Sequence, residues 1–202
     1  MSQIAHIASA IFKKGAHERR IIVGIAGPPA SGKSTTAAAL VDLLPQGSAI
    51  VVPMDGFHFD DSVLTSRGLQ QRKGAPETFD FSGFAHLLRR IRSGEPDIAI
   101  PIFDRGMEIS RAGAAIVDAE KRFILVEGNY LLLSEEPWSA LADFFDLTVF
   151  LNVEREQLER RLIERWRAHG RSDADGQAWV DMNDMPNVDR VIRNRRAADL
   201  TI

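Results

Sequence analysis

The run Arg19–Ala26 (RRIIVGIA), followed at once by Gly27–Thr35 (GPPASGKST), limits the fold more than any other feature of the chain. Its first half is apolar and β-branched without alternation, the signature of a strand covered on both faces. Its second half fills every fixed position of G-x-x-x-x-G-K-[ST] with Gly27, Gly32, Lys33 and Ser34. A helix-forming stretch, Lys33–Leu44, comes next and stops at Pro45. In that order, strand, glycine-rich turn and helix converge backbone N–H groups and the positive end of a helix dipole on one point. Such a point binds phosphate oxygens. Lys33 is expected to reach the β- and γ-phosphates of a nucleoside triphosphate such as ATP, and Ser34 to ligate its Mg²⁺. The cradle comprises Gly27, Pro28, Pro29, Ala30, Ser31, Gly32, Lys33, Ser34 and Thr35, with the two prolines stiffening its entry.

The rest of the pattern builds around that unit. Ala49–Val52, Arg122–Glu127 and Leu147–Leu151 are further short apolar runs, and helical spacing recurs at Phe81–Ser93, Glu154–His169, Gln177–Asp184 and Val188–Arg195. Apolar strands alternating with helices predict an α/β fold of three layers with a mainly parallel central sheet. Ile98–Phe103 is interrupted by Pro101 and reads as an edge strand, with Ala115–Val117 as a nearby partner. Asp60–Thr78 reads as a loop with a short helix, and Ala198–Ile202 as a last strand. The N-terminus carries Ile4, Ile7, Ile11 and Phe12 at amphipathic helical spacing, and its basic pair Lys13–Lys14 follows the apolar part, the reverse of a signal peptide.

Composition narrows the partners. The length of 202 residues suits a single domain, and no linker divides it. A net charge of −3 supplies no basic field for nucleic acid or an anionic membrane. The absence of cysteine excludes disulfides, thiol catalysis and thiolate metal sites, and fits the cytoplasm. A small-molecule partner is expected, in a monomer or homodimer.

Two carboxylates follow core strands. Glu127 ends one, where it faces the ligand crevice of an open α/β sheet and can help hold Mg²⁺, with Gly128 leaving room. Asp55 ends another, and it can take a proton from an acceptor hydroxyl and share the Mg²⁺ shell, or serve as a turn aspartate. On Glu154–His169, Arg161 and Arg165 are four residues apart and share a helix face that can meet phosphate. Gly170–Gly176 (GRSDADG) reads as a flexible return from that helix, giving a mobile lid over about 154–176. Candidate walls for the acceptor are Phe57, His58, Arg67, Arg72, Phe103, Asp104, Arg105 and Asn129.

These stretches resemble a family. PMDGFH at Pro53–His58, RKGAPETFD at Arg72–Asp80, PIFDR at Pro101–Arg105, VEGNYLLL at Val126–Leu133, RLIERW at Arg161–Trp166 and NDMPN at Asn183–Asn187 occur in the order found in P-loop kinases of the uridine kinase, phosphoribulokinase and bacterial pantothenate kinase superfamily. The chain is most similar to small members described as fructose transport system kinases. The resemblance implies Asp55 as catalytic base, Lys33, Arg161 and Arg165 as phosphate-neutralising groups, and Ser34 and Glu127 at the metal. It implies an ATP-dependent kinase acting on a hydroxyl of a small metabolite. Uridine kinases carry tyrosine where this chain has Phe103 and histidine near Glu108, which argues for a sugar or sugar-like acceptor over a nucleoside. A pantothenate or nucleoside kinase, or an ATP-binding regulatory ATPase without a small acceptor, are the alternatives.

Overall fold

The structure, a computed structural model, describes residues 2–202. Its centre is a five-stranded sheet of β1 (Ile21–Ala26), β2 (Ala49–Pro53), β5 (Phe123–Gly128), β6 (Leu147–Phe150) and β7 (Leu200–Thr201), in the order β2-β5-β1-β6-β7. Every pairing in it is parallel. β1 and β5 are buried at every position, which is why their sequences show no polar alternation.

Alternate residues of these strands feed two cores. Ile21, Val23, Ile25, Phe123 and Leu125 pack against α1 (Gln3–Lys14) and α2 (Lys33–Leu43). Ile22, Ala26, Ile124, Val126 and Phe150 face the other way, onto α4 (Phe81–Arg92) and the segment around Tyr130–Leu133 and Trp138. The predicted amphipathic α1 buries Ile7 and Ile11, and Phe12 lies edge-on to Phe123 at 5.9 Å. No helix among the described residues is long and apolar enough to cross a membrane.

The proline-broken stretch is an edge strand paired with Ala115–Val117 as expected, in a sheet of its own. β3 (Ile98–Asp104) and β4 (Ile109–Val117) form a separate antiparallel hairpin. Pro101 offers no N–H, and the register slips between Ile100 and Ile102. The return from the arginine helix is more ordered than read. After α5 (Arg155–Ala168), Ser172 caps α6 (Asp173–Trp179) by accepting the N–H of Asp175 at 3.1 Å. The Ser-x-x-Asp pattern is a capping signature that its neighbouring glycines obscured. A π-helical turn, Val180–Asp184, joins α6 to α7 (Met185–Asn194). Leu158 and Leu162 of α5 pack with Val180, Met185 and Val188 into a third, smaller core. The polar stretch after β2 holds α3 (Asp61–Ser66) and short 3₁₀ turns, as expected.

Candidate functional site

The strand register collects the site. Ala26 lies opposite Gly128 and Phe150, and Pro53 lies opposite Glu127, so the four strands end together. The glycine loop after β1, the 3₁₀ turn Met54–Phe57 after β2 and Glu127 therefore meet at one edge. They border a cavity of about 1030 Å³.

The loop is shaped for close approach. A side chain at Gly27 would come within 2.5 Å of Ser31 Oγ and 3.1 Å of the Leu151 carbonyl. Gly32 takes φ +94°, a left-handed conformation that favours glycine, and its side has open space. It begins α2 with no side-chain cap, which leaves the N–H groups of the first turn to a ligand. Pro29, Ala30, Gly32, Lys33, Ser34 and Thr35 face the cavity, while Gly27, Pro28 and Ser31 stand behind and support it. Ser31 Oγ is buried without a hydrogen-bond partner. The Lys33 ammonium, 8% exposed, donates to the Pro28 carbonyl at 2.9 Å. Burial lowers its pKa, and Glu127 and then Asp55 pull it back up.

Ser34 Oγ donates to Glu127 Oε1 at 3.0 Å. Burial and the nearby Asp55 raise the Glu127 pKa, against the pull of Lys33. No group of three or more metal-ligating His, Asp or Glu side chains occurs among the described residues. The donor set is thus one hydroxyl and one carboxylate, with Asp55 in the same cavity. That suits Mg²⁺, which keeps most of its shell as water and phosphate oxygens. Gly128 plays a different part from the one its position suggested. A side chain there would meet Met54 Cβ at 2.5 Å, so it makes room for the core and not for the crevice.

Of the candidate acceptor walls, His58, Phe103, Arg105 and Asn129 line the cavity. Asp55 is paired with Arg105, whose Nη2 lies 2.5 Å from Asp55 Oδ2. Four predicted walls stand back. Phe57 packs on Phe84 at 5.2 Å, and Asp104 accepts the N–H groups of Gly106 and Met107 in the hairpin turn. Arg72 donates to Asn183 at 3.0 Å and Asn187 at 3.4 Å, holding its segment to the π-helical turn. Arg67 also stands outside, with its guanidinium over Phe59 at 4.4 Å.

His58 is stacked on Phe79 at 4.0 Å and tilted against Phe103 at 5.0 Å, and its Nδ1 is buried without a partner. Burial lowers its pKa from the ordinary 6.5 to about 4, with Asp55 opposing. It is therefore neutral in the fold but protonated in the unfolded chain between those values. Its share of stability is complete above about pH 6.5 and falls as pH drops toward 4. Between pH 7 and pH 5 wild type should lose about 2 kcal/mol more stability than His58→Phe in denaturant titrations. Equal losses would show that His58 does not carry the effect.

The two arginines of α5 diverge. Arg161 donates to the carbonyl of Ala30 at 3.1 Å, where that loop residue takes φ +62°, and so holds the loop itself. Arg165 reaches the cavity and makes no ion pair among the described residues. Burial and the like charge of Arg105 lower its pKa, so it lies where a buried anion would relieve it.

Sequence reasoning missed one wall. Arg171 stacks between Trp166 and Trp179, 4.6 Å from each ring, and Trp166 Nε1 donates to Asp184 Oδ2 at 2.5 Å. It also missed Lys73, whose Nζ sits 2.8 Å from Asp61 and 3.1 Å from Glu108. The RKGAPETFD, RLIERW and NDMPN stretches, valued for resemblance, pointed to this side.

Comparisons with known proteins agree with this geometry. The model of the Phosphoribulokinase / Uridine kinase family matches residues 22–202. A crystal structure from Silicibacter sp. TM1040, provisionally named a fructose transport system kinase, superposes with a TM-score of 0.92 at 38% identity over 100% of both chains. The uncharacterized protein YggC of Escherichia coli (strain K12) is 38% identical over 189 residues, covering 92% of this chain and 78% of its own. A provisionally named uridine kinase of Schizosaccharomyces pombe is 32% identical over 200 residues, covering 92% of this chain and 84% of its own. With the phosphate loop, the parallel sheet and this match over nearly the whole chain, the protein belongs to the phosphoribulokinase/uridine kinase family of P-loop kinases.

Proposed function

We propose that the protein transfers the γ-phosphoryl group of ATP to a hydroxyl of a small metabolite, and that the acceptor is a sugar or sugar-like polyol. The observation that carries this reading is Asp55, a carboxylate sharing one cavity with Lys33 and the uncapped start of α2. An anionic acceptor needs no base, whereas a neutral hydroxyl does. The walls beyond Asp55 include Gln70, Gln71, Asn129, Asn187, Asp61 and Glu108, which can exchange hydrogen bonds with several hydroxyls at once. Likeness to the Silicibacter protein supports the sugar class.

In this reading Lys33 and the first turn of α2 hold the β- and γ-phosphates. Ser34 and Glu127 hold Mg²⁺, which when bound offsets charge on the transferring group. Asp55 accepts the acceptor's proton as the acceptor oxygen bonds to phosphorus. Arg165 meets the charge that builds on the phosphoryl oxygens, and Arg161 keeps the loop in shape through Ala30. The segment 154–176 closes over the site as a lid.

The test is a metabolite panel with coupled ADP detection. A sugar or polyol should raise ADP release well above the rate with Mg-ATP alone and become phosphorylated in proportion. If no sugar, nucleoside or pantothenate changes that rate, the reading fails in favour of an ATP-driven switch without a small acceptor.

A further inference from the structure

Arg105 covers the carboxylate that the proposed reaction needs free. Its guanidinium pairs with Asp55 Oδ2 at 2.5 Å and lies 5.8 Å from the centre of the Phe103 ring. The hairpin that carries it is held from three sides. Within the turn, Asp104 Oδ1 accepts the N–H groups of Gly106 at 3.0 Å and Met107 at 3.1 Å. Lys73 ties the tip to α3 through Glu108 Oε2 at 3.1 Å, the Glu108 carbonyl at 3.3 Å and Asp61 Oδ1 at 2.8 Å. At the base, Gly56 and Pro101 are in such close backbone approach that no side chain fits between them. Glu108 adopts φ +56°, a left-handed conformation a non-glycine residue keeps only when its surroundings insist.

The pair is not a deep structural bridge. The Arg105 side chain is 48% exposed and that of Asp55 24%, so water screens the pair and it holds only weakly. An interaction of that strength holds a carboxylate closed against bulk water. It yields to a ligand that brings its own contacts with the cavity walls.

We propose that Arg105 caps the Asp55 carboxylate and keeps it from activating water, and that the acceptor displaces this cap on binding. The proposal rests on the kinase reading above. Water and the acceptor hydroxyl compete for the same step. In either case the attacking O–H gives its proton to Asp55 and its oxygen bonds to the γ-phosphorus. The bond from phosphorus to the β–γ bridging oxygen breaks, and ADP leaves with that electron pair. With water the products are ADP and inorganic phosphate, a loss of ATP without product. A cap that opens only for the acceptor suppresses that loss while leaving acceptor transfer intact. Arg105 thus acts as a positioning residue through Asp55.

The test needs no knowledge of the acceptor. With Mg-ATP alone, Arg105→Gln should raise ADP and phosphate release about threefold to fivefold over wild type. The added Asp55→Asn change should erase that gain, and Arg105→Lys should restore much of the restraint. Affinity for a non-hydrolysable ATP analogue, followed by the fluorescence of Trp166 and Trp179 at the cavity wall, should not move. Damage to the fold lowers hydrolysis and does not raise it. Hydrolysis by Arg105→Gln at or below the wild-type rate would overturn the cap, as would a gain that persists without Asp55. The metabolite panel separates this from failure of the kinase reading. A wild type that phosphorylates a panel compound, with an Arg105→Gln variant that leaks no ADP, removes the cap alone. A wild type that phosphorylates none removes both.

Discussion

Asp55→Asn should lower acceptor-dependent turnover by about 10²–10⁴-fold while leaving ATP affinity nearly unchanged. The separation follows from where each group sits. The phosphate grip consists of Lys33, the uncapped first turn of α2 and the loop glycines, all of which follow β1. Asp55 follows β2, two residues beyond the Pro53–Glu127 pairing, and its partner is Arg105 of the hairpin. Asparagine keeps the shape and still accepts a hydrogen bond from Arg105, but it cannot take a proton. Lys33 would lose one of two favourable carboxylate neighbours, and Glu127 one like charge, so the two effects on the phosphate side oppose each other. Steady-state kcat by coupled ADP detection and nucleotide affinity by tryptophan fluorescence check this. Turnover close to wild type would remove Asp55 from the role of base. A parallel collapse of ATP affinity would instead make it part of the nucleotide site.

The phosphate loop was legible because its requirements are local. Glycine at the left-handed turn, lysine one residue on and an apolar strand before it are all visible within Arg19–Thr35. The parallel sheet was legible for a similar reason, since fully buried strands carry no polar alternation. What failed to show were facts that depend on how distant segments meet. Arg105 and Asp55 are separated by 50 positions, and nothing in either stretch announces the pairing. Arg161 and Arg165 do share a helix, but the tilt of α5 turns one onto Ala30 and the other into the cavity. Arg72 and Asp104 carry the residue types of a substrate wall and spend them on tying segments together. Spacing identifies which side chains are neighbours on an element, and tertiary packing decides what that element faces.

Gly56→Ala should destabilise the fold by about 2–4 kcal/mol, a large effect for one methyl group. Its added carbon would lie 2.3 Å from the Pro101 carbonyl oxygen, 2.7 Å from the Pro101 carbonyl carbon and 3.2 Å from the Ile102 nitrogen. These are backbone atoms, so no rotamer change relieves the clash. Either the 3₁₀ turn that carries Asp55 moves or the β3–β4 hairpin does. Gly106→Ala, whose carbon would meet Asp104 Oδ1 at an ordinary 3.4 Å, is the internal control and should stay within about 0.5 kcal/mol of wild type in denaturant titrations. The contact also has a functional consequence. Phe103 and Arg105 sit just beyond Pro101 on the same strand and turn, so a displaced hairpin carries them away from Asp55. The surviving folded protein should bind ATP normally, show a raised KM for its acceptor and leak more ADP with Mg-ATP alone. Gly106→Ala should do none of these. An alanine at Gly56 that costs no stability would mean that turn and hairpin slide past each other freely, and the close backbone approach would then not be what holds Arg105 over the carboxylate.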